Sequence, residues 1–182
     1  PGGGRVALEL PPSRHMRNTG GIGIRGPGTG SGLCVFTSIE LAGRWQNISA
    51  LDGLQKWMTH KPGGGWPRKV DDMLKQFCAS KGVPVPLYIQ FENSGDLDLL
   101  RLAVKTGRSA CIRITSGPGY GSTDHMVNLA HAGLRPPDPW AWQDNNFPGQ
   151  WSHIKDEATF RRHYGRWFVV FLGPPPPPAP ID

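Results

Sequence analysis

The sequence predicts an α+β domain in which helices come first and an antiparallel sheet second. Three observations carry this. Apolar residues recur at helical spacing over 34–45, 67–77 and 97–104. From His125 onward the period changes from 3.6 to 2. The third is an excess of 25 glycines and 19 prolines among 182 residues, about double the usual share and gathered into a few stretches. Breakers this dense exclude a long helical bundle or coiled coil. Glycines without a period of three exclude collagen. Seven Trp and seven Phe in a chain that is 37% apolar exclude disorder. The length suits one hydrophobic core.

In chain order, residues 1–27 read as an extended Gly/Pro-rich arm, with short strand pieces at 6–10 and 21–24. A glycine-rich run, Gly28-Thr29-Gly30-Ser31-Gly32, then leads into Cys34. Val35, Phe36, Ile39, Ala42 and Trp45 recur at helical spacing, which sets Cys34 at the start of a mostly apolar helix. A second helix opens with Pro67 in its first turn, carries Val70, Met73, Leu74 and Phe77, and stops at Gly82. Residues 83–91 read as a strand with Pro84 and Pro86 at its beginning. Residues 94–96 offer capping chemistry for a third helix of Leu97, Leu100, Ala103 and Val104, stopped at Gly107. A short strand at 110–114 follows.

The sheet half begins with a strand at 125–132. A turn through 133–139 and a second strand at 139–144 come next, then a tight turn at 145–149. Ser152 is expected to cap a short helix carrying Ile154, Phe160 and Tyr164. Residues 166–172 close the domain as an apolar strand. Five consecutive prolines in 173–182 read as polyproline II, a stiff linker or tail. The domain proper thus spans 28–172. A chain that begins at Pro1 rather than Met reads as a piece of something longer.

Net charge is +6, with no run of five like charges, which argues against a dedicated nucleic-acid tail. Arg14, Arg17 and Arg25 form only a scattered basic cluster. No stretch of about 18 apolar residues predicts a membrane span. Cys34, Cys78 and Cys111 are widely spaced with no CxxC, so neither a disulfide framework nor a zinc finger is predicted. The histidines show no metal-site spacing. No cofactor and no metal are expected. Unpaired cysteines lean toward a reducing, intracellular compartment.

Three residue types at three places suggest chemistry. A cysteine at a helix N-terminus meets aligned peptide dipoles and free N–H groups, which favour a thiolate and can hold an oxyanion. Cysteine nucleophiles need an imidazole from a distant segment and a third polar group to fix the ring. His125 begins an apolar strand after the breaker-rich loop 116–123, and the next strand ends at Asp144-Asn145-Asn146. If those strands are antiparallel neighbours, the start of one lies beside the end of the other. His125 then meets Asp144, or Asn145 as the alternative. Taken singly, Cys34 reads equally as a packed small hydrophobe, His125 as a satisfied histidine and Asp144-Asn145 as a plain turn. Trp140 and Trp142, at i and i+2, share one face, as core or as a substrate wall. Residues 61–67 read as a cleft-side loop carrying Trp66.

The chain resembles the papain-like cysteine peptidase superfamily, and is especially similar to its compact C39-like branch, which includes bacteriocin-processing peptidase domains. The resemblance rests on Gly32-Leu33-Cys34-Val35-Phe36-Thr37-Ser38 opening a helix, on Thr123-Asp124-His125-Met126-Val127-Asn128, and on Trp142-Gln143-Asp144-Asn145-Asn146. The order Cys, His, Asp/Asn and the helix–strand ending are also similar. It covers 28–172 and implies a helical part, with the nucleophile at a helix start, packed on a C-terminal antiparallel sheet. By resemblance, Cys34 is the nucleophile, His125 the general base and acid, and Asp144 the orienting residue, with Asn145 as runner-up. Gly32, Trp66, Asp124 and Trp142 fall on the substrate side. The family's oxyanion Gln, six residues before the Cys, is replaced here by Gly28, so Thr29 or Ser31, with the Cys34 N–H, become the candidate donors.

The function expected is thiol-dependent hydrolysis of a peptide or protein substrate. C39-like relatives favour cleavage after small residues, and Gly2-Gly3-Gly4 and Gly20-Gly21 make flanking segments of the chain's own precursor a candidate substrate. The same chemistry would also serve an amidase or acyltransferase. Gly28 in place of Gln leaves a third reading, a silent papain-like binding domain.

Overall fold

The computed structural model describes residues 8, 10–20 and 32–173. Among these, Cys34–Gln46 forms helix α1, buried almost all round, with Val35, Phe36, Ile39 and Ala42 in the core. It ends where Asn47 turns left-handed at φ 57°. A short helix α2 (Leu54–Met58) follows a 3-10 turn at Ser49–Leu51. The buried carboxylate of Glu40 on α1 organises α2, accepting the N–H groups of Gly53 and Gln55 at 3.2 and 2.8 Å. No short-range pattern in residues 48–58 announces these two turns. α2 forms because α1 supplies its capping group.

Helix α3 (Pro67–Lys81) starts on proline and stops at left-handed Gly82, φ 67°. Strand β1 covers only Tyr88–Phe91, shorter than the expected 83–91. Pro84 and Pro86 have no N–H to give a ladder, so pairing starts beyond them. Asp96 caps helix α4 (Leu97–Lys105) by accepting the Asp98 N–H. Strands β2 (Cys111–Ile114), β3 (His125–His131) and β4 (Trp140–Gln143) follow.

The next stretch differs from expectation. Ser152 lies in a strand, β5 (Ser152–Ile154), and the helix α5 begins only at Glu157–His163, capped by Asp156, whose side chain accepts the Thr159 N–H at 2.8 Å. Asp156 is the better cap because its carboxylate meets the positive end of the helix dipole. Tyr164 then belongs to strand β6 (Tyr164–Phe171).

All neighbouring strands run antiparallel, in the order β1-β6-β2-β3-β4-β5. The fold is mixed α+β. β6 is buried on both faces: Trp167, Val169 and Phe171 pack with α1 and α3, while Phe168 and Val170 pack with α4 and Phe160 of α5. Period 2 thus serves two cores at once, with helices on both sides of the sheet. Of the amino-terminal arm, the expected strand pieces at 6–10 and 21–24 lie almost wholly outside the described residues. The part that is described packs onto the domain: Leu8 donates its N–H to Ala130 O at 3.0 Å, and Leu10 and Met16 are buried against Leu41. The tail beyond Gly173 lies outside the described residues. No helix of the described residues is long and apolar enough to cross a membrane.

Candidate active site

β3 and β4 are antiparallel neighbours, with Asn128 opposite Gln143. That register carries the start of β3 to the end of β4. His125 Nε2 lies 2.7 Å from Asp144 Oδ1, and both side chains are nearly inaccessible, at 4% and 0% exposure. Burial alone pulls the imidazole toward neutrality. The hydrogen bonds and charges of Asp144 and Cys34 outweigh it, and His125 is raised to about 9. The ring therefore carries its proton at neutral pH, held between two groups able to bear negative charge.

Cys34 is the first residue of α1 and is half-buried, whereas Cys78 and Cys111 are buried. Leu33 before it supplies no side-chain cap. The first backbone bond of the helix is Thr37 N–H to Leu33 O, 2.8 Å. The N–H groups of the first turn have no intrahelical acceptor and surround the thiol with the positive end of the helix dipole.

Asn145 occupies a different place from Asp144. Its buried amide reaches Cys34 O at 3.1 Å, Ser38 Oγ at 3.0 Å and Met126 O at 3.2 Å. It ties α1 to β3, and Asp144 alone of the two bonds to His125.

Two residues that no motif singled out complete the surroundings. Tyr120 donates its hydroxyl to Asp144 Oδ2 at 2.8 Å. Asn18, from the arm, accepts the Leu33 N–H on Oδ1 at 3.1 Å and donates to Asn146 Oδ1 at 3.1 Å. Asn18 is far from Cys34 in sequence, and Tyr120 lies in a loop without periodicity; only the spatial return of both segments reveals them.

The residues expected on the substrate side fall in several places. Gly32 bridges Gly20 and gives its carbonyl to Gly64 N–H at 2.9 Å, so the loop 61–66 runs directly beside Cys34. Lys69 gathers that loop by donating to the carbonyls of Pro62, Gly63 and Gly64. Trp66 stands 55% exposed at the start of α3, with the Lys69 ammonium 4.9 Å from its ring centre. Asp124 is exposed and paired with Arg113 at 2.8 Å. Trp142 is no substrate wall. It is fully buried, edge-on to Phe160 and His163, because α5 covers the face that Trp140 and Trp142 share. Thr29 and Ser31, and Gly28 with them, lie outside the described residues. Among the described residues no group of three or more His, Cys, Asp or Glu is placed to hold a metal ion.

No family model matches the chain, and no curated protein matches its sequence.

Proposed function

We propose that the chain is a thiol-dependent hydrolase, a cysteine peptidase of papain-like type resembling the C39-like branch, with Cys34 as nucleophile, His125 as base and acid, and Asp144 as the residue that orients the ring. The observation that carries this reading is the buried 2.7 Å contact of His125 Nε2 with Asp144, on a ring whose other neighbour is the helix-start thiol of Cys34. An imidazole held this way takes one tautomer and one orientation, which general acid–base work requires.

In the reaction, the Cys34 sulfur bonds the substrate carbonyl carbon, and the C–N bond breaks. The amine leaves with a proton from His125. Water then gives a proton to His125 and hydrolyses the thioester, restoring the thiolate. The tetrahedral oxyanion falls to the Cys34 N–H and to Asn18. A primary amide carries two N–H protons, of which Asn146 takes one. Asn18 thereby stands in for the amide absent at position 28. The Gly-rich loop 61–66 and Trp66 form the substrate side.

Iodoacetamide at pH 7 tests the reading. Cys34 is alkylated faster than free cysteine, and His125→Ala abolishes the advantage. A peptide library is cleaved by wild type and not by Cys34→Ala, and intact masses of the two proteins diverge with time if flanking segments are cut. Alkylation no faster than free cysteine at every pH sinks it.

A further inference from the structure

The second oxygen of Asp144 has a dedicated partner. Oδ1 receives His125 Nε2 and the Asn146 N–H, at 2.7 and 2.9 Å; Oδ2 receives the Tyr120 hydroxyl at 2.8 Å. Tyr120 in turn accepts from Asn146 Nδ2 at 2.9 Å, and its ring lies 5.5 Å from that of His125. The chain of bonds continues through Asn18 to the N–H of Leu33, next to Cys34. Tyr120 is brought there by a tight loop, its N–H closing on Gly117 O at 2.9 Å. Position 117 tolerates only glycine, since a Cβ would sit 2.9 Å from the Trp142 ring.

We propose that Tyr120 is a positioning residue that locks the Asp144 carboxylate in the rotation where one oxygen faces His125, with Asn146 as its anchor. The inference rests on the Cys34–His125–Asp144 reading above. A carboxylate with three donors on two oxygens has one orientation. Remove the phenol, and a buried oxygen loses its one side-chain donor among the described residues, so the carboxylate is free to turn. The turn weakens its pull on the imidazole. The phenol keeps its own proton throughout, because burial and the Asp144 charge push it far up. The titratable groups facing His125 are Cys34 on α1, Asp144 after β4 and Tyr120 itself. The nearby Asp124 is occupied by Arg113.

The test is Tyr120→Phe, which keeps the ring and removes one oxygen. The readout is the titration midpoint of His125 by NMR, which does not depend on thiol chemistry. The midpoint falls below wild type by about half a pH unit or more, and Cys34 alkylation at pH 7 slows by about tenfold. In an Asp144→Ala background, Tyr120→Phe moves neither quantity further, because Tyr120 acts through that carboxylate. An unchanged or raised midpoint overturns the inference, as does an equal effect in the Asp144→Ala background. Should Tyr120→Phe not fold, Asn146→Ala removes the anchor and must lower the midpoint in the same direction. A wild-type Cys34 no more reactive than free cysteine, with a midpoint that still falls in Tyr120→Phe, sinks the peptidase reading and leaves the positioning role standing.

Discussion

The side-chain amide of Asn145 donates to the carbonyl oxygen of Cys34 at 3.1 Å, across 111 residues of sequence. The bond fixes the first turn of α1 to the sheet that carries His125. The same amide reaches Ser38 Oγ and Met126 O, so one buried nitrogen bridges the helix and β3 at three points. Asp144 and Asn145 are adjacent and divide the labour: the first bonds to the imidazole, the second secures the element that bears the thiol.

Asn145→Ala takes this donor from three acceptors, of which Met126 O keeps the Ser38 hydroxyl at 3.1 Å. A group left unpaired costs about 1–3 kcal/mol where water cannot replace it, so a total of about 3 kcal/mol is expected. For a chain of this size that lowers the melting temperature by roughly 6–12 °C. Asn145→Asp keeps the shape but turns a donor into an acceptor facing carbonyl oxygens, and it is the more damaging of the two. Thermal unfolding by circular dichroism ranks them; equal melting temperatures for wild type and Asn145→Ala would refute the clamp.

The sign of the pH dependence follows from His125. Its ordinary value is 6.5, and the folded protein raises it to about 9. A raised histidine contributes stability that is fully present below the unfolded value and disappears as pH climbs through the folded one. With 1.36 kcal/mol per pH unit, the contribution is on the order of 3 kcal/mol for so buried a ring. Urea denaturation of wild type and His125→Gln shows the effect as a gap that is wide at pH 6 and narrows between about 6.5 and 9. A gap that widens with rising pH contradicts the assignment.

Much of this was legible beforehand, for identifiable reasons. Val70, Leu74 and Phe77 repeat at helical spacing between Pro67 and Gly82, so α3 needed no tertiary information. The meeting of His125 with Asp144 followed from two strands and one antiparallel pairing. What stayed hidden depended on contacts across the fold. α2 exists because Glu40 caps it from another helix. Trp142 is internal because α5 lies over it, and the start of α5 is set by Asp156, whose carboxylate caps it, and not by Ser152, which pairs in β5. Tyr120 and Asn18 sit in segments without periodicity, so their roles appear only once the chain has returned them to the site.

The loop 61–66 touches the Cys34 helix so closely that position 65 has no room for a side chain. A Cβ there would lie 2.6 Å from Val35 Cγ2. Gly65→Ala therefore pushes the loop off α1 and strains the Gly64–Gly32 bond. Overpacking of this kind costs about 1–3 kcal/mol. Val35→Ala removes the two clashing methyl groups but keeps Val35 Cβ, 2.8 Å from the new methyl, so the double variant Gly65→Ala, Val35→Ala regains part of the loss and is more stable than the sum of the single changes predicts. Additive melting shifts would show that the two residues are not in contact.

Asn18 allows the oxyanion assignment to be separated from thiol activation. Alkylation by iodoacetamide displaces iodide at a saturated carbon and builds no oxyanion, whereas attack on a peptide carbonyl does. If Asn18 Nδ2 supports that oxygen, Asn18→Ala lowers peptide hydrolysis by about 10²–10³-fold while Cys34 alkylation changes little. The substitution also removes one of the two acceptors of the Leu33 N–H, leaving Thr19 O at 2.8 Å, and the donor to Asn146, so a displaced helix start is the competing cause of any loss. Displacement slows both reactions together, and only the loss of an oxyanion donor splits them. Parallel decline of hydrolysis and alkylation would therefore return Asn18 to a structural role and leave the Cys34 N–H as the remaining assigned donor.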